Sequence, residues 1–95
     1  MADAGTALLR ALTDCAGIRP EIMEAEMTRW SSVTFEGARH RLVIRLPGPA
    51  AGRLAKAVAG DAVTPVGHVL ADIALVRRVE DAGERMEIEA LTVEG

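Results

Sequence analysis

The sequence predicts an α+β fold, a two-layer αββαββ arrangement in which a four-stranded sheet carries two helices on one face. Three observations predict it. Apolar residues recur at helical spacing in two segments, each closed by a glycine. Each helical segment is followed by two stretches in which apolar and polar residues alternate. Glycine-bearing dipeptides divide those stretches, Glu36-Gly37 in the first pair and Ala82-Gly83 in the second.

The first helix is expected over residues 3–16. Leu8, Ala11, Leu12 and Cys15 form its apolar stripe, and Asp3 or Thr6 caps its start. Gly17 suits the left-handed position past a helix end, and Pro20 blocks continuation. A strand follows, with Met23, Ala25 and Met27 alternating against Glu24, Glu26 and Thr28, and the alternation resumes at Val33 and Phe35. With Glu36-Gly37 as a two-residue turn, Phe35 faces Ala38, Val33 faces His40 and Trp30 faces Val43. That register sets Arg29 on the face of Met27 and Ile44, a conflict that a β-bulge near Ser31-Ser32 would partly repair.

Pro47-Gly48-Pro49 stops the second strand, and Pro49 suits the first position of a second helix. Leu54 and Val58 give that helix its apolar face, Arg53 and Lys56 are solvated, and Gly60 ends it. In the last two strands Val69, Ala71, Ile73 and Leu75 alternate with Leu70, Asp72, Ala74 and Val76. Met86, Ile88 and Ala90 alternate with Glu87, Glu89 and Leu91. A turn at Ala82-Gly83 sets Glu80 opposite Arg85 and Arg78 opposite Glu87, and such opposite-charge pairs favour a register.

The chain reads as one domain, residues 1–95, with candidate repeat units 1–47 and 48–95. At an offset of 46, Leu8 meets Leu54, Ala11 meets Ala57, Gly37 meets Gly83 and Arg39 meets Arg85. A helix between the second and third strands allows a right-handed crossover that makes those strands parallel; a wholly antiparallel sheet is the alternative.

Composition narrows the function classes. Phe35 and Trp30 are the only aromatics, so the core must be built from Ala, Val, Leu, Ile and Met. A light core in a small domain gains from a partner subunit, and a homodimer is expected. The net charge of −3 offers no basic footprint for nucleic acid. Cys15 is the sole cysteine and can form no internal disulfide. No apolar run has the length of a membrane span, and the first residues lack the basic stretch of a secretion signal. A cytoplasmic protein without a membrane partner is expected.

Several groups are candidates for chemistry. Arg39-His40-Arg41 is the densest basic feature, and His68 starts a strand at the same end of the sheet if the crossover is parallel. Arg39, His40, Arg41 and His68 would then form a ligand or anion site. Asp72 could join the two histidines in an acid–base or metal site, but the predicted register sets His40 and His68 on opposite faces, and no metal-ligand spacing is present. Cys15 falls on an apolar stripe late in a helix, where a thiol is structural. Gly48-Pro-Ala-Ala-Gly52-Arg53 lacks the Gly-Lys-Ser/Thr ending of a phosphate loop. No cofactor motif occurs and no metal is expected. Trp30 falls on the sheet face away from the helices, where Val43, Val76 and Leu91 would complete an apolar contact patch within a polar rim; a bulge that turns Trp30 into the core is the alternative.

The block Trp30-Ser-Ser-Val-Thr-Phe-Glu-Gly-Ala-Arg-His-Arg41 resembles a segment of short alphaproteobacterial proteins of unknown function. The resemblance implies a compact bacterial cytoplasmic protein and no particular site. Two functions therefore compete: a non-enzymatic, homo-oligomeric interaction module, and a small-molecule or anion binder or enzyme using Arg39, His40, Arg41 and His68.

Overall fold

A computed structural model describes residues 3–80 and 82–94. The elements run α1 (Ala4–Ala16), β1 (Glu21–Ser31), β2 (Glu36–Leu46), α2 (Gly48–Ala59), β3 (His68–Glu80) and β4 (Glu84–Glu94). The sheet order is β1-β2-β4-β3, and every neighbouring pair is antiparallel. β2 and β3 do run the same way across the α2 crossover, but β4 lies between them. The αββ order thus occurs twice. At the offset of 46, Leu8 and Leu54 are both buried, as are Leu12 and Val58.

α1 begins and ends as its sequence dictates. The Asp3 carboxylate accepts the Thr6 N–H at 2.8 Å, and Gly17 takes φ 78°. The α2 side chain expected to be solvated does more than that. Arg53 reaches across and donates from Nε to the Ala16 carbonyl at 2.9 Å. It thereby satisfies an otherwise orphaned carbonyl and brings positive charge to the negative end of α1.

Both helices lie on one face of the sheet. Leu42, Ile44 and Leu46 of β2 and Met86, Ile88 and Ala90 of β4 meet Leu8, Leu12, Leu54 and Val58 in a single core. The two central strands carry that core, and the edge strands add only partly buried side chains: Leu70, Ile73 and Leu75 of β3 pack against it. Nearly all of β1 is exposed.

The first hairpin differs from the predicted register. Its turn is Ser32–Phe35, so Trp30 pairs with Gly37, Met27 with His40 and Glu24 with Val43. The Ser32 hydroxyl accepts the Phe35 N–H at 3.0 Å, and the Ser32 N–H donates to the Phe35 carbonyl at 2.7 Å. Val33 and Phe35 are therefore exposed turn residues rather than strand residues. Gly37 serves a different purpose from a turn. A Cβ there would collide with the Thr92 carbonyl oxygen and sit 2.7 Å from Cζ2 of Trp30. The glycine lets the indole lie flat across β2, a close approach that only this residue permits.

The second hairpin is one residue out of the predicted register. Glu80 pairs with Glu84 and Arg78 with Met86, so the expected Glu80–Arg85 and Arg78–Glu87 pairs do not form. Ala82 (φ 47°) and Gly83 (φ 106°) both occupy left-handed backbone next to the turn. Register shifts between Leu70 and Asp72 and between Leu75 and Arg77 leave Ala71 and Val76 bulged out of the ladder. The bulge at Ala71 keeps Leu70 on the helix side with Ile73 and Leu75, whereas beyond Val76 that side carries Arg78 and Glu80.

Candidate interaction surface

The four residues Arg39, His40, Arg41 and His68 do not form one site. His40 shares the helix side of the sheet with its partners Met27 and Ala90, whereas Arg39 and Arg41 alternate with it and lie on the opposite face. His68 pairs with Glu94, in phase with Leu70 and Thr92, so it shares the helix side with His40. The predicted separation of the two histidines is therefore reversed by the bulge at Ala71. Asp72 pairs with Leu91 on the outer face, away from both imidazoles. Among the described residues no cluster of three His, Cys, Asp or Glu side chains is placed to hold a metal ion.

His40 is buried, and its Nε2 lies 2.9 Å from Oγ1 of Thr92. The Thr92 hydroxyl has one proton to give and donates it to the Ala38 carbonyl at 3.4 Å. Its oxygen then accepts from Nε2–H, which sets the imidazole tautomer. Burial pushes the His40 pKa down, and the nearby His68 imidazole acts in the same direction against the weaker pull of Asp3. His40 is a neutral structural residue. Cys15 is likewise inert: burial, and secondarily Asp14, raise its thiol pKa, and Sγ donates to the Ala62 carbonyl at 3.6 Å.

The outer face is a charge ladder. On it Glu21 of β1 pairs with Arg45 of β2 and Glu26 with Arg41, while Glu24 lies opposite Val43 and Arg39 opposite Thr28. Arg41 is held from two sides. Its Nη1 donates to Glu24 at 3.1 Å and its Nε to Glu87 on β4 at 3.3 Å, and these hydrogen bonds raise its pKa further. Arg45 Nη1 donates to Glu21 at 3.4 Å. A shallow trough of about 270 Å³ lies over this ladder, lined by Arg39, His40 and Arg41 but also by Glu26, Asp72 and Glu89. Two guanidiniums against three carboxylates give no excess of positive charge with which to hold a phosphate.

Trp30 does lie on the outer face, half-buried over Gly37, with Leu91 and Val93 in line across β4. The rest of the predicted contact patch is dispersed. Val43 pairs with Glu24 and Glu87 at the other end of the ladder and is buried beneath its charged neighbours. Val76 is exposed, but on a bulge of β3.

The larger unpartnered surface is the helix-side flank of β1. Ile22, Ala25, Met27 and Arg29 project on the side of the helices, yet the helices pack on the central strands and on β3 rather than on β1. Ile22 is 38% and Met27 47% exposed. Between this flank and α1 runs an open groove of about 330 Å³ lined by Thr6, Leu9, Ile22, Ala25, Met27 and Leu42. The presence of Arg29 beside Met27 needs no repair, because this face of β1 is solvated. The one bulge of β1 falls at Met23 rather than near Ser31-Ser32. Sequence reasoning missed this surface because strand order, which decides what is an edge, leaves no periodic signal.

No helix among the described residues is long and apolar enough to cross a membrane. Comparison with protein-family models, curated proteins and solved structures finds no match to the chain.

Proposed function

We propose that this chain is a non-enzymatic interaction module of the cytoplasm that works as a homo-oligomer. The observation that carries the reading is β1, an eleven-residue edge strand whose side chains are exposed along nearly its whole length, including Ile22, Met23 and Met27. Exposed edges of this kind recruit further strands unless they are blunted, and an apolar flank adds area to the contact. The light core supports the same reading, since small domains gain stability by mass action from a partner.

Sedimentation equilibrium across the micromolar range tests it. The expected result is an apparent mass that rises with concentration from one chain toward two. A single-chain mass at every concentration, together with an unchanged melting temperature on dilution, would rule the reading out.

A further inference from the structure

The reading as a self-associating module leaves open which surface meets which, and the two edges of the sheet answer it. β1 pairs with β2 in one unbroken register from Glu24 to Ser31, eight consecutive residues. β3 never runs more than four residues before a shift. A bulge twists an edge away from a would-be partner, so β3 is blunted along its length and β1 only at Met23, outside the regular stretch. β1 also carries no proline and no lysine, the residues that most often guard an edge.

Charge then selects a register. A twofold axis normal to the sheet keeps the faces in common and places one residue of β1 opposite itself. Centred on Ala25, the pairing sets Glu24 against Glu26; centred on Glu26, it sets that glutamate against itself; centred on Arg29, it sets two guanidiniums together. Like charges directly opposite each other are destabilising. Centring on Thr28 avoids this but places Met27 against Arg29. Centring on Met27 pairs Met27 with Met27, Ala25 with Arg29, Glu26 with Thr28 and Glu24 with Trp30. No like charges meet in that arrangement, and the exposed methionines bury each other.

We infer that two copies of this chain join edge to edge through antiparallel β1 strands with Met27 on the twofold axis, giving one continuous eight-stranded sheet. This inference rests on the self-association proposed above. The helices of both copies then lie on the same side, and the two β1 flanks fuse into a single floor between the two α1 helices, apolar except for Arg29. The contact is short, and short contacts are weak, so dimerisation is set in the micromolar range.

Cysteine cross-linking reads the register directly, because paired Cα atoms across an antiparallel ladder lie within disulfide reach. In a Cys15→Ala background, Met27→Cys is expected to form a disulfide dimer in a glutathione redox buffer, whereas Glu26→Cys and Thr28→Cys do not. Met27→Lys, at an exposed position that leaves folding intact, is expected to weaken the dimer at least tenfold. Ala25→Glu places a carboxylate opposite Arg29 twice per dimer and is expected to tighten it by between about two- and thirty-fold. If sedimentation shows a dimer but cross-linking favours another position, or Met27→Lys leaves the dimer intact, self-association stands and this edge falls. If the wild-type chain is monomeric throughout, both fall together.

Discussion

The two edges of the sheet come from equivalent places in the two αββ units, yet they are built in opposite ways. β1 is regular from Glu24 onward, exposes Met27 and Ile22 beside the helices, and carries its carboxylates on the outer face. β3 is broken twice, at Ala71 and Val76, and turns Leu70, Ile73 and Leu75 partly into the core. The same element order therefore gives one edge that is open to pairing and one that is closed to it. A protein with two open edges polymerises, and a protein with one stops at a pair.

The largest expected effect comes from removing that difference. Deleting Ala71 and Val76 together brings β3 into a single register with β4 while leaving Ile73 opposite Ala90 and Leu75 opposite Ile88. The core side is preserved and the edge becomes regular. Long oligomers are expected, visible by electron microscopy and as a broad fast distribution in sedimentation velocity. A double deletion that keeps the wild-type mass would show that the bulges do not guard this edge.

A second test concerns what fixes β1 to the sheet. Gly37→Ala drives a methyl group into the Thr92 carbonyl and the Trp30 ring. Overpacking of this kind costs about 1–3 kcal/mol, measurable as a lower urea midpoint. Gly52→Ala is the counterpart, at a helical position with nothing within 4 Å of the added carbon. It should stabilise by about 0.5–1 kcal/mol through helix propensity. Equal effects at the two glycines would contradict the close approach of Trp30 to β2.

Gly17 and Gly37 show what the residues disclose and what they hide. The limits of α1 were legible because Asp3 and Gly17 act locally: a carboxylate caps the helix and a left-handed glycine ends it. Gly37 was misread because glycine serves turns and close approaches alike, and only the second is a tertiary fact. The resulting register error was an even number of residues, so Trp30 still fell on the outer face. The error in the second hairpin was one residue, and one residue exchanges faces. The bulge at Ala71 then carried His68 to the side of His40, which no alternation pattern foretells. The candidate site at Arg39, His40, Arg41 and His68 failed for the same reason that neighbours in a strand point apart. The open edge at β1 was invisible because it depends on which strand lies outermost.

The pH response is a finer probe of the side of the sheet that faces α1. The His40 pKa is lowered by burial in the folded chain. The unfolded chain therefore binds a proton more readily than the folded one once the pH falls below the ordinary imidazole value of about 6.5. Stability is complete above that value and declines as the pH drops toward the folded pKa. Urea midpoints from pH 7.5 to 5 should fall, and His40→Gln should flatten the slope at some expense in stability at pH 7.5. A profile unchanged by His40→Gln would place the proton uptake elsewhere.

The smallest effect is expected at the closed edge, where Arg78 and Glu84 form a two-pronged pair at 2.6 and 2.7 Å across the β3–β4 hairpin. The pairing lowers the Glu84 pKa, so its contribution is present above the ordinary carboxylate range and is lost as the pH falls through it. Arg78 is about two-fifths exposed (39%), and solvent screens most of the attraction. A double-mutant cycle of Arg78→Ala and Glu84→Ala should show favourable coupling in dilute buffer that nearly vanishes at about 1 M salt, where the screening length is about 3 Å. Arg41 meets carboxylates on two neighbouring strands, Glu24 on β1 and Glu87 on β4, so its coupling to them should persist further into that salt series. If the Arg78 pair proved as salt-resistant as the Arg41 pair, β3 would owe its order to its own hairpin rather than to the bulges that seat it on the core.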